Sequence, residues 1–529
     1  MKDNWRSLVP EAAVIIFVTL AVYMPAFHNG FVSDDVLITK NPAIRAGDGL
    51  YRIWFTTELP DYYPLSWSVW WFQWRMFGTS ATGYHVVNVV LHAINAVLVW
   101  IVLRRLNVPG AWLAGLVFAV HPVNVATAAW ISEQKNTLSM LFYAVTILLY
   151  LRFEEKPRWQ WYGLSLAAFL LALLSKTAVV MLPVVLLLLA WWQRGKIRGK
   201  DGLRTVPFFV LSLVLGLVTI SFQHAHVLNK VPARADGFVA HLLAAGWVPW
   251  FYLAKALLPV NLAMTYPKSI FNPLQWDSYV PGTMLVASFA LFWWKRRTWG
   301  APLLFGLGYF LVMLFPVLGF IDQAFYRATL VADHWQYYSI VGVIALVVVA
   351  GLKVSRDFGR RGREIGVLVS VAILGMLSTL SWRRADIYRD DETLWLDNLT
   401  KNPTSWLANY NLGVAAWKAG RVEEAIGRYR QVLRLRPDYN DARNNLGVAL
   451  AEIGDLDGAI VQFRESVRLF PGNAEAHNNL GLALARQGQF QQAVACYEEA
   501  VRLQPDYVVA HVNLANALVQ LGRTNDAIR

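Results

Sequence analysis

Residues 437–470 read PDYNDARNNLGVALAEIGDLDGAIVQFRESVRLF, and Pro471 starts the same pattern again. Pro403, Pro437, Pro471 and Pro505 recur every 34 residues. That is the length of two short helices with their turns, a unit that cannot bury its apolar face alone and so stacks into an α-solenoid. The register agrees. Leu412-Gly413, Leu446-Gly447, Leu480-Gly481 and Leu514-Ala515 put a small residue where the two helices of one repeat approach closely. Gly420, Gly454, Gly488 and Gly522 end the first helix of each pair, as Gly does past a helix terminus. Ala425, Ala459, Ala493 and Ala527 fill the tight spot on the second helix, and Tyr429, Phe463 and Tyr497 pack between repeats.

This pattern is similar to the tetratricopeptide repeat, whose stacked helices grip extended peptide. The solenoid is expected over 404–529 in about four repeats, the last incomplete. Because the sequence stops at Arg529, part-way into a second helix, a continuation of the chain is expected. Trp395 precedes Pro403 as Tyr429 precedes Pro437, so 386–400 should form a lone second helix within a connecting segment, 382–403. Asn411, Asn445, Asn479 and Asn513 share one position in all four repeats. They either belong to the repeat consensus or form an acceptor-binding ladder, each amide donating to and accepting from a peptide backbone.

Upstream, residues 1–381 are of another kind. The whole chain has 529 residues, 56% hydrophobic and 16% charged, with a mean hydropathy of +0.38. That is too apolar for a soluble protein of this length. The fold expected is all-α: a polytopic membrane bundle followed by the solenoid. Cys496 is the only cysteine, so no internal disulfide holds the fold. The net charge of +13 comes from short basic clusters between apolar stretches, the pattern of membrane topology and not of nucleic-acid binding.

Stretches long enough to cross ~30 Å of hydrocarbon begin near Val9, Tyr84, Pro109, Asn136, Trp159, Thr177, Thr205, Ser278, Ala301, Trp335 and Ile365, about eleven spans. Arg104-Arg105, Arg152/Lys156/Arg158, Arg194 to Arg204, Lys295 to Arg297 and Lys353 to Arg363 fall in alternate loops, which the positive-inside rule makes cytoplasmic. Residues 240–259 carry His241, Pro249 and Lys255, costly against lipid, and are read as re-entrant or interfacial. The first external loop, 28–83, the other outward loops and the solenoid then lie outside the cytoplasm. In a bacterium this is the periplasmic side of the inner membrane; in a eukaryote it is the lumen of the endoplasmic reticulum. Residues 28–83 are rich in aromatics, including Tyr51, Trp54, Trp67, Trp70, Trp71 and Trp74, and are expected as short interfacial helices with an aromatic belt.

Asp34 and Asp35 follow the first span. Adjacent acids there are either a solvated loop or a general base able to take a hydroxyl proton as its oxygen attacks carbon. Spacing alone does not decide.

The run Gly30-Phe31-Val32-Ser33-Asp34-Asp35, with Tyr62-Tyr63-Pro64-Leu65, Tyr84-His85-Val86-Val87-Asn88, His92, Phe118-Ala119-Val120-His121-Pro122-Val123 and Ala129-Trp130-Ile131-Ser132-Glu133, resembles the transmembrane and TPR-containing O-mannosyltransferases. The likeness covers 28–150 and the repeats; 205–300 carry little that matches. It implies membership of the GT-C superfamily of multi-span glycosyltransferases. Such enzymes take a sugar, here mannose or another hexose, from a polyprenyl phosphate and invert the anomeric centre. By that likeness Asp34 is the base for a Ser or Thr hydroxyl and Asp35 orients it or a neighbour.

A phosphate leaving group needs positive charge and directed donors. The outward candidates are His121, Glu133, Lys135, Lys176, Arg327, Asp333 and His334. Asp333 is placed to hold His334 protonated or oriented. Related proteins often carry Lys followed by Glu where this chain has Lys176-Thr177, which removes a possible acidic partner, and Tyr63 stands where they usually carry Arg. No His/Cys/Asp/Glu cluster has convincing metal spacing; the Asp pair leaves a divalent ion open. The spans are nearly free of charge at mid-membrane, unlike those of an ion-coupled transporter. Two other readings stay open: a membrane scaffold without catalysis, and a transferase whose acceptor is a glycan or lipid.

Overall fold

The computed structural model describes residues 8–225, 237–269, 271–321 and 323–528. These residues form helices and connecting turns without a strand. They divide into two compact units, Met1–Leu394 and Trp395–Arg529.

The membrane unit starts with α1 (Val9–Val22) and four short helices, α2 (Asp35–Lys40), α3 (Pro42–Arg45), α4 (Gly49–Phe55) and α5 (Pro64–Phe77). Then follow α6 (Ala81–Arg105), α7 (Ala111–Val120), α8 (Val125–Ala128), α9 (Gln134–Glu155), α10 (Trp159–Ser175), α11 (Leu182–Arg194) and α12 (Gly199–Gln223). After the undescribed stretch come α13 (Phe238–Leu257), α14 (Val280–Trp294), α15 (Gly300–Leu314), α16 (Ile340–Asp357) and α17 (Gly359–Ile387).

Six described helical segments are long and apolar enough to cross a membrane, and the α7–α8 pair, bent by 50° at His121, makes a seventh. The eleven spans expected are therefore not all of spanning length. α1 and α10 are apolar but have 14 and 17 residues, and α14 has 15. α16 is 18 residues long but carries Lys353, Arg356 and Asp357 in its last turns.

The ends of the bundle differ in charge chemistry. At one end Arg105 contacts both Glu155 oxygens at 2.9 Å, Arg204 contacts Glu154 at 2.9 Å, and Arg194 bridges Glu154 and Asp201. The expected cytoplasmic loops thus gather at one end, with Asp34 and Asp35 at the other. α13 has its contacts at that second end. Trp250 donates to the Pro281 carbonyl at 2.9 Å, Tyr252 to Ala332 at 3.2 Å, and the Ala256 carbonyl meets His121 at 3.1 Å.

The first external loop differs from an aromatic belt. Trp67, Trp70 and Tyr63 are buried with Ile38, Ile44, Ile53 and Ile131 in a small core of their own. Aromatic area is worth most when removed from water altogether, so α2–α5 fold over one another and leave Tyr51, Phe55 and Phe72 at the surface.

In the second unit, α19 (Trp406–Lys418) and α20 (Val422–Leu435), α21 (Asn440–Glu452) and α22 (Leu456–Leu469), and α23 (Ala474–Arg486) and α24 (Phe490–Leu503) are helix pairs. α25 (Val508–Gln520) and α26 (Thr524–Ile528) make a fourth. A Cβ on Gly447 would lie 2.6 Å from the Phe463 ring, and Gly413 and Gly481 are as tightly set against Tyr429 and Tyr497. Gly454, at φ +87°, closes α21 in the left-handed conformation that favours glycine. Before the repeats, α18 (Asp391–Lys401) takes the place expected for a lone helix and crosses the boundary between the two units.

Candidate functional site

The loop 29–35 is shaped by hydrogen bonds from distant parts of the membrane unit. The Asn29 amide donates to the Ala385 carbonyl at 2.9 Å, and the Gly30 N–H donates to Arg389 at 2.9 Å. Trp130 reaches the Val32 carbonyl at 3.3 Å. Ser33 has φ +52°, a left-handed conformation uncommon for a residue with a Cβ.

That turn gives the two acids different surroundings. Asp35 is fully buried; one oxygen accepts the Val32 N–H at 3.0 Å and the other the Ser132 N–H at 2.7 Å. Burial nevertheless pushes its carboxyl up to about 8, against the pull of both donors. Asp34 is exposed, and among the described residues no hydrogen bond reaches its carboxylate. It is reachable but walled by protein: desolvation raises its carboxyl, while Lys135 pulls it down and Glu133, Asp391 and Asp61 push it up. Asp35 fastens the loop, while Asp34 keeps an exposed carboxylate with no hydrogen bond among the described residues.

Beside it lies a cluster centred on Glu133, which is 4% exposed at the head of α9. Its Oε2 accepts from Lys176 Nζ at 3.1 Å and from Asn136 at 2.6 Å. Its Oε1 is 3.4 Å from Lys135 Nζ and 3.8 Å from His334 Nε2. Two ammonium groups thus face one carboxylate. Burial pulls the Lys176 ammonium down, to about 8, so it stays charged at neutral pH. His334 is walled by the Trp130 and Phe325 rings, and burial holds it at about 4, a neutral imidazole.

Lys176 and His334 also line a cavity of about 130 Å³ with Tyr63, Asn136 and Tyr338. Its lining also includes the apolar Val180, Ile220, Met313, Val317 and Ile321, with Thr219, Gln223 and Gln323 among them. The cleft is therefore of mixed character, with polar and apolar side chains. A larger cavity, about 250 Å³, lies between α6, α9, α11, α15 and α16; its lining holds no acid, lysine, arginine or histidine.

Several expected residues are elsewhere. His121 spends Nε2 on the Ala256 carbonyl at 3.1 Å and Nδ1 on the Val123 N–H, so it shapes the α7–α8 bend. Arg327 does not line the cleft. Asp333 does not steer His334: it accepts from Tyr266 at 2.6 Å and from Arg384 at 2.9 Å, and His334 turns to Glu133 instead. A buried carboxylate goes to the strongest donor within reach, here a guanidinium. Glu133 also takes the role of the acid missing after Lys176. His85 and His92 are fully buried on backbone carbonyls and Tyr337.

Each asparagine of the ladder is half-buried and donates one hydrogen bond within the solenoid. Asn411 donates to Leu407 in its own helix at 2.9 Å; Asn445 donates to Tyr410 at 3.3 Å, Asn479 to Asn444 at 3.1 Å and Asn513 to Asn478 at 2.9 Å, these three in the preceding repeat.

Sequence reasoning missed Asp61, Asn136, Tyr338 and Asp391. Asp61 accepts from Trp67 at 2.9 Å, and burial raises its carboxyl against Lys135 and Lys176. Its one signal was adjacency to Tyr62-Tyr63-Pro64. Among the described residues no group of three or more His, Cys, Asp or Glu is arranged to hold a metal ion.

Residues 64–224 match the family model described as dolichyl-phosphate-mannose-protein mannosyltransferase, and 410–474, 474–507 and 496–529 match tetratricopeptide-repeat models. A Caenorhabditis elegans protein O-mannosyl-transferase is 23% identical over 468 residues, 83% of this chain and 64% of the relative. The human Protein O-mannosyl-transferase TMTC1 is 22% identical over 82% of this chain and 56% of its own length. The chain thus spans less than two thirds of these relatives. Among solved structures, MamA is similar at 21% identity and a TM-score of 0.26, covering 28% of this chain and 85% of its own. The mannosyltransferase-family match, the repeats and the relatives so named together fit a TMTC-like GT-C glycosyltransferase with tetratricopeptide repeats.

Proposed function

We propose that this chain moves a sugar from a polyprenyl-phosphate donor to a Ser or Thr hydroxyl of a protein, with inversion at the anomeric carbon. One observation carries the reading: a reachable, unbonded carboxylate, Asp34, under the influence of the Lys135–Glu133–Lys176 cluster, whose Lys176 lines the cleft.

Asp34 takes the hydroxyl proton as that oxygen attacks C1 of the sugar. The bond from C1 to the phosphate oxygen breaks, and polyprenyl phosphate leaves with the electron pair. Negative charge grows on the phosphate, where Lys176 and Lys135 meet it without reorganisation. His334, neutral beforehand, adds a directed N–H. The isoprenoid lies along the apolar side chains of Val180, Ile220 and Ile321. One displacement by one base inverts the centre and leaves no glycosyl-enzyme.

The relatives' printed names favour a protein acceptor and mannose. The repeats offer the polypeptide-binding surface. By the charge rule the Asp34 end faces away from the cytoplasm, and the chain leaves the membrane unit there through residues 385–391. In a bacterium we place it in the inner membrane with the repeats in the periplasm; in a eukaryote they would be in the lumen of the endoplasmic reticulum.

Purified protein in lipid nanodiscs, given radiolabelled polyprenyl-phosphate sugars and Ser/Thr peptides, should label peptide. Asp34→Asn should abolish labelling while the fold is retained. Full labelling by Asp34→Asn would refute the assignment of the base.

A further inference from the structure

Ser33 immediately precedes Asp34 and holds φ +52°. A serine does not rest there unless its surroundings over-determine it. Its amide donates to Asp391 Oδ1 at 2.7 Å, across 358 residues of sequence. Asp391 is the first residue of α18, the helix that leads towards the repeats. It is not occupied with capping that helix: Asp390 accepts the Thr393 N–H at 2.7 Å and does so instead. The two adjacent acids therefore divide the work, one for its own helix and one for the loop that carries Asp34.

We propose that Asp391 is a positioning residue for Asp34: by accepting the Ser33 amide it holds the left-handed turn that presents the Asp34 carboxylate to the site. The proposal rests on Asp34 being the base. Around Ser33 the anchors are Arg389 on Gly30, Asp35 on Val32 and the Val36 N–H on the Ser33 carbonyl at 3.4 Å, while Asp391, at 2.7 Å, takes the N–H of the residue whose dihedral aims Asp34. If Ser33 relaxes to an ordinary right-handed or extended conformation, the chain direction changes at Asp34 while Asp35 stays tied to Val32 and Ser132.

Asp391 has a second effect, through charge. The groups that act on Asp34 are Lys135, Glu133, Asp391 and Asp61, and Asp391 is among those that raise its carboxyl. Asn in its place keeps an oxygen that accepts the Ser33 N–H but removes the charge; Ala removes both.

The test uses the full-length protein in nanodiscs. Hydrogen exchange of the segment 31–36 should accelerate in Asp391→Ala and stay slow in Asp391→Asn. Transfer should follow: kcat falls about tenfold or more in Asp391→Ala with donor KM unchanged, as misplacement of a reacting group predicts. Asp391→Asn should keep most of its kcat and move the acid limb of the pH profile down. Asp390→Asn, which loses only the cap carboxylate, should leave exchange at 31–36 and the pH profile as in the parent. Unchanged exchange at 31–36 in Asp391→Ala overturns the proposal, and so does an unshifted pH profile in Asp391→Asn. The exchange experiment needs no donor, so it reads the positioning even where Asp34→Asn transfers normally and the base assignment fails.

Discussion

Lys176 Nζ lies 3.1 Å from Glu133 Oε2, joining the turn after α10 to the head of α9 in a pair almost closed to solvent. Glu133 is also within ion-pair range of Lys135. Removing that one acid leaves two half-buried ammonium groups without their shared carboxylate. Glu133→Ala should cost on the order of 3–5 kcal/mol, seen as a lower thermal midpoint in nanodiscs. An unchanged midpoint would show that the cluster is hydrated and not structural.

Lys176→Met keeps the volume and removes the charge at the cleft. Donor KM should rise about tenfold or more while acceptor KM holds. Steady-state kinetics at varied donor separates the two, and a change confined to the acceptor would move Lys176 out of the phosphate site.

Transfer should rise with pH on its acid limb, because Asp34 works only when ionised. Burial raises this carboxyl, so the limb belongs above the ordinary aspartate value of about 3.9. Lys135 opposes that rise, and Lys135→Met should therefore shift the limb to higher pH still. A profile of kcat/KM against pH for both proteins checks the sign.

In the solenoid, Gly447→Ala puts a Cβ where the Phe463 ring already lies 2.6 Å away. Overpacking of this kind costs about 1–3 kcal/mol, read by thermal denaturation of the full chain. Asn479→Ala should cost about 1 kcal/mol by removing a bond to Asn444, with no change in peptide KM. A large KM effect there would restore the asparagines to acceptor binding.

The solenoid was legible almost residue by residue, since period, turn glycines and interlocking aromatics are all local signals. Gly413, expected where the two helices of a repeat approach closely, lies there against the Tyr429 ring, which the spacing had placed between repeats. The membrane unit was legible as helices with a basic end, but hydropathy does not report whether α1, α10 or α14 is long enough to cross by itself. At the site, Asp34, Lys135 and Lys176 could be named because each sits next to the outward end of an apolar stretch. What the sequence hid was partnership. Asp333 is adjacent to His334 yet binds Arg384, and Glu133 is 43 residues from Lys176 yet holds it. The aromatics of 28–83 were misjudged for the same reason: composition gives affinity for an interface but not whether neighbouring helices close over the rings.

The bonds from Asn29 and Gly30 to Ala385 and Arg389 have a consequence for synthesis. At translation speeds of about 5–20 residues per second, roughly 20–70 s separate the emergence of the two partners. Throughout that interval the loop that carries Asp34 lacks these two anchors. A nascent molecule interrupted before its final crossing would thus enter the bilayer with that loop incompletely held, and only chains extended past Arg389 would have it fastened at both ends.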